Sequence, residues 1–351
     1  MLTIVSPPPP RFVRAFYGVA RRAVHASLGS HPALSVARLC GVRKATVFML
    51  HRFMNGGERR GRTDIAMLRT LLGTLRRRGI GFMTLRQLSA HLESNTELPG
   101  PTAVFTVDDG YEDFAQLAAP IFAGFDCPAT AFLVTDFVGE RQWNWWDRIT
   151  EAFLRSPRPD ATLAVSGELQ LVTLGHPDQR RRHATELIEA LKLVPDAERR
   201  RVLAAVAGWL DADLPVLAPP EYAALTWDGV RRLERMGMEF APHSRTHPVL
   251  TRLGDSEVHA EISDSWNALK RECRNPVPIF GYPQGTSDSY GPREIAAVRA
   301  CGLEGAVTFR RRYVDPRTCH ADERYTISRF PLPTNLDSAI YLASGLAWER
   351  D

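Results

Sequence analysis

Lysine is nearly absent from this chain. Of its 44 basic residues only Lys44, Lys192 and Lys270 are lysines, and the excess over 40 acids is a net charge of +4. The arginines stand in short groups, such as 76–78 and 180–182, with acids nearby in sequence. No long basic tract is available to track a phosphate backbone, which argues against nucleic acid as a partner. Cysteine is also sparse: Cys40, Cys127, Cys273, Cys301 and Cys319 are odd in number, widely spaced and free of any C-x-x-C pair. Neither a disulfide framework nor a cysteine zinc knot is suggested by that spacing. No apolar run approaches the roughly 18 residues of a membrane span. The four prolines at 7–10 lead into an arginine-rich stretch instead of the apolar core and small-residue cleavage site of a secretion signal, so a cytoplasmic chain is expected.

With 351 residues, 44% hydrophobic and 24% charged, the chain can bury a sizeable core as one or two domains. Residues 1–43 read as a peripheral segment whose possible helix at 12–28 groups Phe12, Phe16, Val19 and Val24, and docking on the main body is expected for it. From 44 to 351 the pattern is that of one barrel-like unit. Apolar runs at 45–50, 103–107, 129–134, 238–241, 277–282 and 306–308 predict buried strands, and helical periodicity predicts helices at 65–78, 114–125, 227–236, 256–271 and 292–301. Thr226 and Asp255 stand where N-caps belong, and Gly79, Gly237 and Gly302 follow helix ends. Alternating strand and helix implies an α/β fold with a parallel sheet, curled into a barrel. About 156–220 breaks the rhythm: a hairpin around Ser166-Gly167-Glu168 and helices at 179–193 and 197–210 read as an insertion over one end of the barrel.

Two segments carry chemistry. The strand at 103–107 runs into Asp108-Asp109-Gly110, where adjacent carboxylates repel each other unless something offsets their charge. A divalent cation would do so, and a plain Asp-Asp-Gly turn is the alternative. The strand at 238–241 leads into His243-Ser244-Arg245-Thr246-His247, whose two imidazoles four residues apart can converge on one metal. Together the segments offer one carboxylate and two imidazoles as ligands, an open position for water, and a second carboxylate as base.

Here the chain resembles the polysaccharide deacetylase family, also called carbohydrate esterase family 4. Thr106-Val107-Asp108-Asp109-Gly110 is similar to its T-F-D-D-G motif, His243 to Pro248 matches H-S/T-x-x-H-P, and Phe280-Gly281-Tyr282-Pro283-Gln284-Gly285 resembles its third motif. The resemblance covers about 45–335 apart from the insertion. It implies a distorted (β/α) barrel of about seven strands and a metal-dependent N- or O-deacetylase. It further implies that Asp109, His243 and His247 hold a divalent metal, most simply zinc, that Asp108 deprotonates water, and that the backbone N–H of Tyr282 stabilises the oxyanion.

Two departures stand out. Phe280 occupies the place of an arginine that orients the base, and Arg329 is either its substitute or a surface arginine. The C-terminal L-x-H element that supplies an acid histidine is missing, and His320 does not fit it. His51 is the candidate replacement, because Phe48-Met49-Leu50-His51-Arg52-Phe53 resembles the Tyr-His-Arg-Val start of exopolysaccharide deacetylases whose barrel elements are circularly permuted. Its alternative is a histidine that merely ends a strand. Trp143, Trp145, Trp146 and Asp147 follow the third strand, and tryptophan faces suit sugar rings as well as cores. Tyr111, Trp145, Trp146 and Arg329 are the expected substrate contacts, with Asp113 near the same mouth. The expected function is removal of acetyl groups from a polysaccharide or oligosaccharide, or from its lipid-linked precursor. A catalytically silent carbohydrate-binding relative is the alternative.

Overall fold

The computed structural model describes residues 41–57, 61–139, 142–318 and 321–347, and the helix expected at 12–28 lies outside them. Among the described residues twelve strands follow in chain order: β1 (Ala45–Leu50), β2 (Arg52–Met54), β3 (Arg62–Asp64), β4 (Gly81–Phe82), β5 (Thr102–Val107), β6 (Ala129–Leu133), β7 (Asp160–Val165), β8 (Glu168–Thr173), β9 (Glu239–Pro242), β10 (Ile279–Gly281), β11 (Gly305–Val307) and β12 (Phe330–Pro331). β5 and β6 are buried along their whole length and β1 almost so. Such continuous apolar runs, with Val, Phe and Ala on both faces, are what a parallel sheet covered on both sides requires. The sheet runs β12-β1-β5-β6-β9, all parallel, with β4 also paired to β5.

Of the expected distorted barrel of about seven strands, the described residues form this six-stranded parallel sheet and a separate parallel pair, β10–β11, with no continuous ladder between them. Proline explains the break. Only the Val277 N–H reaches the Phe240 carbonyl of β9, at 2.7 Å; the return bond of a parallel ladder would come from the N–H of residue 242, and Pro242 has none to give. On the other side a single bridge, Val307 to Ile327, joins β11 to the segment before β12. Side chains still meet across these gaps: Val47, Val104, Phe132, Ala241, Ile279 and Val307 share one buried cluster.

Helices cover the opposite face. Phe105 of β5 stacks on Phe48 at 5.2 Å and meets Phe122 at 5.4 Å, and truncating such a ring to alanine costs about 3–5 kcal/mol. Thr84 and Gln87 close a capping box on the helix Leu85–Ser94, and Thr226 caps Trp227–Arg235 as expected. Asp255 is instead the first helical residue of Asp255–Glu272, with Gly254 as the cap. The helix expected at 114–125 is split into a π-helical turn, Phe114–Ala118, and an α-helix, Ala119–Gly124. Pro120 cannot donate to the preceding turn, which favours such a shift of register.

A separate hydrophobic core gathers residues 145–214, where the insertion is expected. Trp145, Ile149 and Phe153 of the helix Trp145–Arg155 pack with the β7–β8 hairpin and the helices Pro177–Leu191 and Asp196–Trp209. This core starts upstream of the expected boundary at 156, because the helix before that boundary turns its apolar face to the insertion.

Candidate active site

The C-terminal ends of β5 and β9 deliver the site. β5 ends one residue before Asp108, and Asp109 then takes a left-handed φ of 78°. Gly110 follows at φ 93°, where a Cβ would lie 2.8 Å from Val138, so the turn needs glycine there. β9 hands over to His243, and the loop beyond it holds Ser244 and His247 at φ 63° and 57°. Glu261 fixes that loop by accepting from the Arg245 and Thr246 N–H groups at 2.9 and 2.8 Å. With Gln284, four of the eight described non-glycine residues at positive φ lie at this site. Each such conformation costs on the order of 1 kcal/mol or more and persists only where the surroundings enforce it.

Asp109 Oδ1 lies 3.8 Å from His243 Nε2 and 3.7 Å from His247 Nε2, and the three residues are buried together. The other nitrogen of His243 donates to the Gly281 carbonyl at 2.7 Å, which leaves Nε2 with its lone pair towards Asp109. Gly281 permits this approach, since a Cβ there would stand 2.8 Å from that ring nitrogen. Burial drops His243 to about 4 against the opposing charge of Asp108, and burial together with His243 takes His247 well below its usual value. Both imidazoles are therefore neutral at neutral pH, the form that ligates a metal. Burial, then the charges of Asp108 and Asp147, raise the Asp109 carboxyl well above the usual range. A carboxylate so placed wants a cation. Among the described residues this is the only Asp/Glu/His/Cys cluster close enough to share one, and its donor set suits a divalent metal.

Asp108 is held differently. Arg329 grips it with two parallel bonds, Nη1 to Oδ1 at 2.7 Å and Nη2 to Oδ2 at 2.9 Å, and also donates to Thr106 Oγ1 and the Thr308 carbonyl. Burial disfavours the charged carboxylate, but Arg329, with His243 and His51, prevails and holds Asp108 at about 2. Arg329 is 1% exposed, so it is not a surface arginine, and its donors are spent on Asp108 and its neighbours instead of facing substrate. His51 Nε2 stands 3.8 Å from Asp108 Oδ2, half-exposed, with its pKa lowered by burial against the pull of Asp108.

The remaining expected residues fall less simply. The Tyr282 N–H donates to the Val307 carbonyl at 3.3 Å, because β10 pairs with β11, so it is not the free oxyanion donor that was expected. Its ring is buried and stacks on Tyr290 at 4.7 Å. Tyr111 does not reach the mouth: it is buried, donates its O–H to Asp147, accepts from Trp146 Nε1 at 2.9 Å, and lies under the Arg52 guanidinium at 3.9 Å. Asp113 pairs with Arg52 at 2.6 Å. Trp145 is buried in the insertion core with its Nε1 on the His247 carbonyl at 3.1 Å. Trp143 donates to the Val216 carbonyl. A cavity of about 410 Å³ opens over Asp108, Asp109, His243, His247 and His51, and Trp145 and Trp146 form part of its wall. Sequence reasoning missed Ile188 and Lys192 of the insertion and Phe309 after β11, which also line it. Only the rarity of lysine marked any of them.

The fold places a triad that could hold a metal and an arginine-held carboxylate together at the strand ends of a parallel α/β scaffold. Residues 95–306 match the sequence profile of the family described as polysaccharide deacetylase, and the chain belongs to that family. No curated protein matches it in sequence. Among solved structures it is similar to a Streptococcus pyogenes deacetylase, PplD, in complex with acetate, at 16% identity over 86% of this chain and 98% of that one with a TM-score of 0.56. It is also similar to IcaB from Ammonifex degensii, at 14% identity over 86% and 97% with a TM-score of 0.57. A third, BC0361, a polysaccharide deacetylase from Bacillus cereus, matches at 12% identity over 86% and 69% with a TM-score of 0.53. Among the described residues no helix is long and apolar enough to cross a membrane.

Proposed function

We propose that the protein is a metal-dependent hydrolase that removes acetyl groups, N- or O-linked, from a polysaccharide or its precursor. The observation that carries this reading is the convergence of Asp109, His243 and His247 beside the arginine-held carboxylate of Asp108, under one cavity. The three ligand residues would hold a divalent cation, zinc by the character of a two-imidazole, one-carboxylate set. When bound, that cation supplies Lewis acidity to the acetyl carbonyl and makes the attacking water more acidic.

The chain does the rest. Asp108 accepts the proton of the attacking water, and the Arg329 fork fixes the direction of its carboxylate. His51, at the rim of the same cavity, is placed to protonate the departing amine or alkoxide. Trp146 and Phe309 offer apolar surface for a sugar ring. The backbone donor for the oxyanion is left to a group other than the Tyr282 N–H. The family points to an acetylated polysaccharide, and the Tyr-His-Arg-Val-like start at Phe48–Phe53 favours the exopolysaccharide type. A silent carbohydrate-binding relative has no observation in its favour, since base, arginine and ligand triad are all present. Metal content and acetate release from acetylated chitooligosaccharides and acetyl-ester xylan test the proposal. Stoichiometric metal with turnover that chelator abolishes supports it, and metal without release of acetate from any amide or ester refutes it.

A further inference from the structure

His243 and His247 are not oriented in the same way. The ring of His243 is fixed by a hydrogen bond to the Gly281 carbonyl, whereas Nδ1 of His247 is buried with no partner. A ligating histidine ordinarily has its second nitrogen tied to a carbonyl or carboxylate, which sets the ring and the ligand lone pair. His247 also sits at a left-handed φ of 57°, a conformation that a β-substituted residue holds only under constraint. Something else must keep this ring in place.

The first turn of the helix Trp145–Arg155 does so. Trp145 Nε1 donates to the His247 carbonyl at 3.1 Å, a buried bond between partners 102 residues apart. The Trp146 ring lies 4.7 Å from the His247 ring at 65°, an edge-to-face contact. Its Nε1 donates to the Tyr111 hydroxyl at 2.9 Å, and that hydroxyl donates to Asp147. Tyr111 is two residues beyond Asp109, so one helical turn grips both ligand-bearing loops. We propose that Trp145, Trp146 and Asp147 are positioning residues for the metal, by which the inserted unit sets the affinity of the centre. The inference rests on the metal reading above and extends it to residues that touch neither water nor acetyl group.

The full chain, stripped with chelator and titrated with Co²⁺, reports ligand geometry through the visible absorption of the ion. Trp145→Phe keeps the ring and removes the N–H, and Trp146→Leu keeps apolar bulk and removes the edge-to-face contact. Each should weaken cation binding by about 10- to 100-fold, the range found when the partners of ligating histidines are removed. Phe153→Leu, in the same helix and the same insertion core but away from the site, is the control. It should lower the melting temperature of the metal-free protein while leaving cation affinity within about 3-fold, since a loosened core alone does not reorient His247. Wild-type binding with both tryptophan variants unchanged overturns the proposal, as does an equal loss of affinity in Phe153→Leu. Failure of the wild-type chain to bind Co²⁺ overturns the metal reading and this one together.

Discussion

Replacing Arg329 with methionine would leave Asp108 buried against the sheet without its counter-charge. The loss is worked from four contacts: the fork to Asp108 at 2.7 and 2.9 Å, and single bonds to Thr106 and Thr308. Removing one partner of a buried ion pair costs about 3–5 kcal/mol, because the remaining charge stays desolvated. The cost should depend on pH in a definite direction. In the wild-type chain Arg329 holds Asp108 at about 2, below its ordinary 3.8, which contributes on the order of 2 kcal/mol. That contribution is fully present above about pH 4 and is lost as pH falls through 2. In Arg329→Met, burial is no longer opposed by the guanidinium, so the carboxyl should rise above 3.8, bind its proton more tightly when folded, and destabilise increasingly as pH climbs. Urea denaturation of metal-free wild type and variant at pH 5 and pH 8 measures this. The deficit of the variant should be larger at pH 8, and should shrink in an Asp108→Asn background. A deficit under about 1 kcal/mol at pH 8, or one that does not change with pH, would refute the reasoning.

Other outcomes follow from the same geometry. Asp108→Asn should keep the metal and lose about 10²- to 10⁴-fold in kcat, measured on metal-replete protein. His51→Ala should leave metal content unchanged and slow hydrolysis of natural acetamides far more than of aryl acetates, whose leaving groups need no proton; equal losses on both would remove it from the acid role. Gly281→Ala puts a Cβ 2.8 Å from His243 Nδ1 and from the Phe132 ring, so cation affinity should fall in a Co²⁺ titration. Burial lifts Asp147 to about 7 despite the Tyr111 bond and Arg52, so the folded chain holds a proton that the unfolded one releases near 3.8. Metal-free wild type should therefore lose stability from pH 4 to 7 relative to Asp147→Asn, as followed by thermal melts.

Most of the candidate site was written locally. Asp108, Asp109, His243 and His247 each follow an apolar strand, and strand ends in a parallel sheet face one way, so spacing alone could bring them towards one mouth. The helices and their caps were legible for the same reason: periodicity and a cap depend on residues within a turn or two. Where a local rule competed with another, as at Pro120 or at Gly254 against Asp255, boundaries moved by a residue or a helix split.

What the sequence could not decide was which donors are spent and on whom. Arg329 stayed open between a surface position and a partner for Asp108, because the two are 221 residues apart and meet only where β12 lies beside β1 and β1 beside β5. The Tyr282 N–H looked available until β11 came alongside and took it. Tyr111, Trp145 and Trp146 have the amphipathic character of sugar contacts, yet the packing of the insertion commits the hydroxyl and both indole N–H groups to Asp147, His247 and Tyr111. A residue's chemistry is carried by its side chain and its neighbours in sequence. Whether that chemistry faces a ligand or a protein partner depends on desolvation and on groups brought near from far along the chain, and only the folded arrangement fixes those.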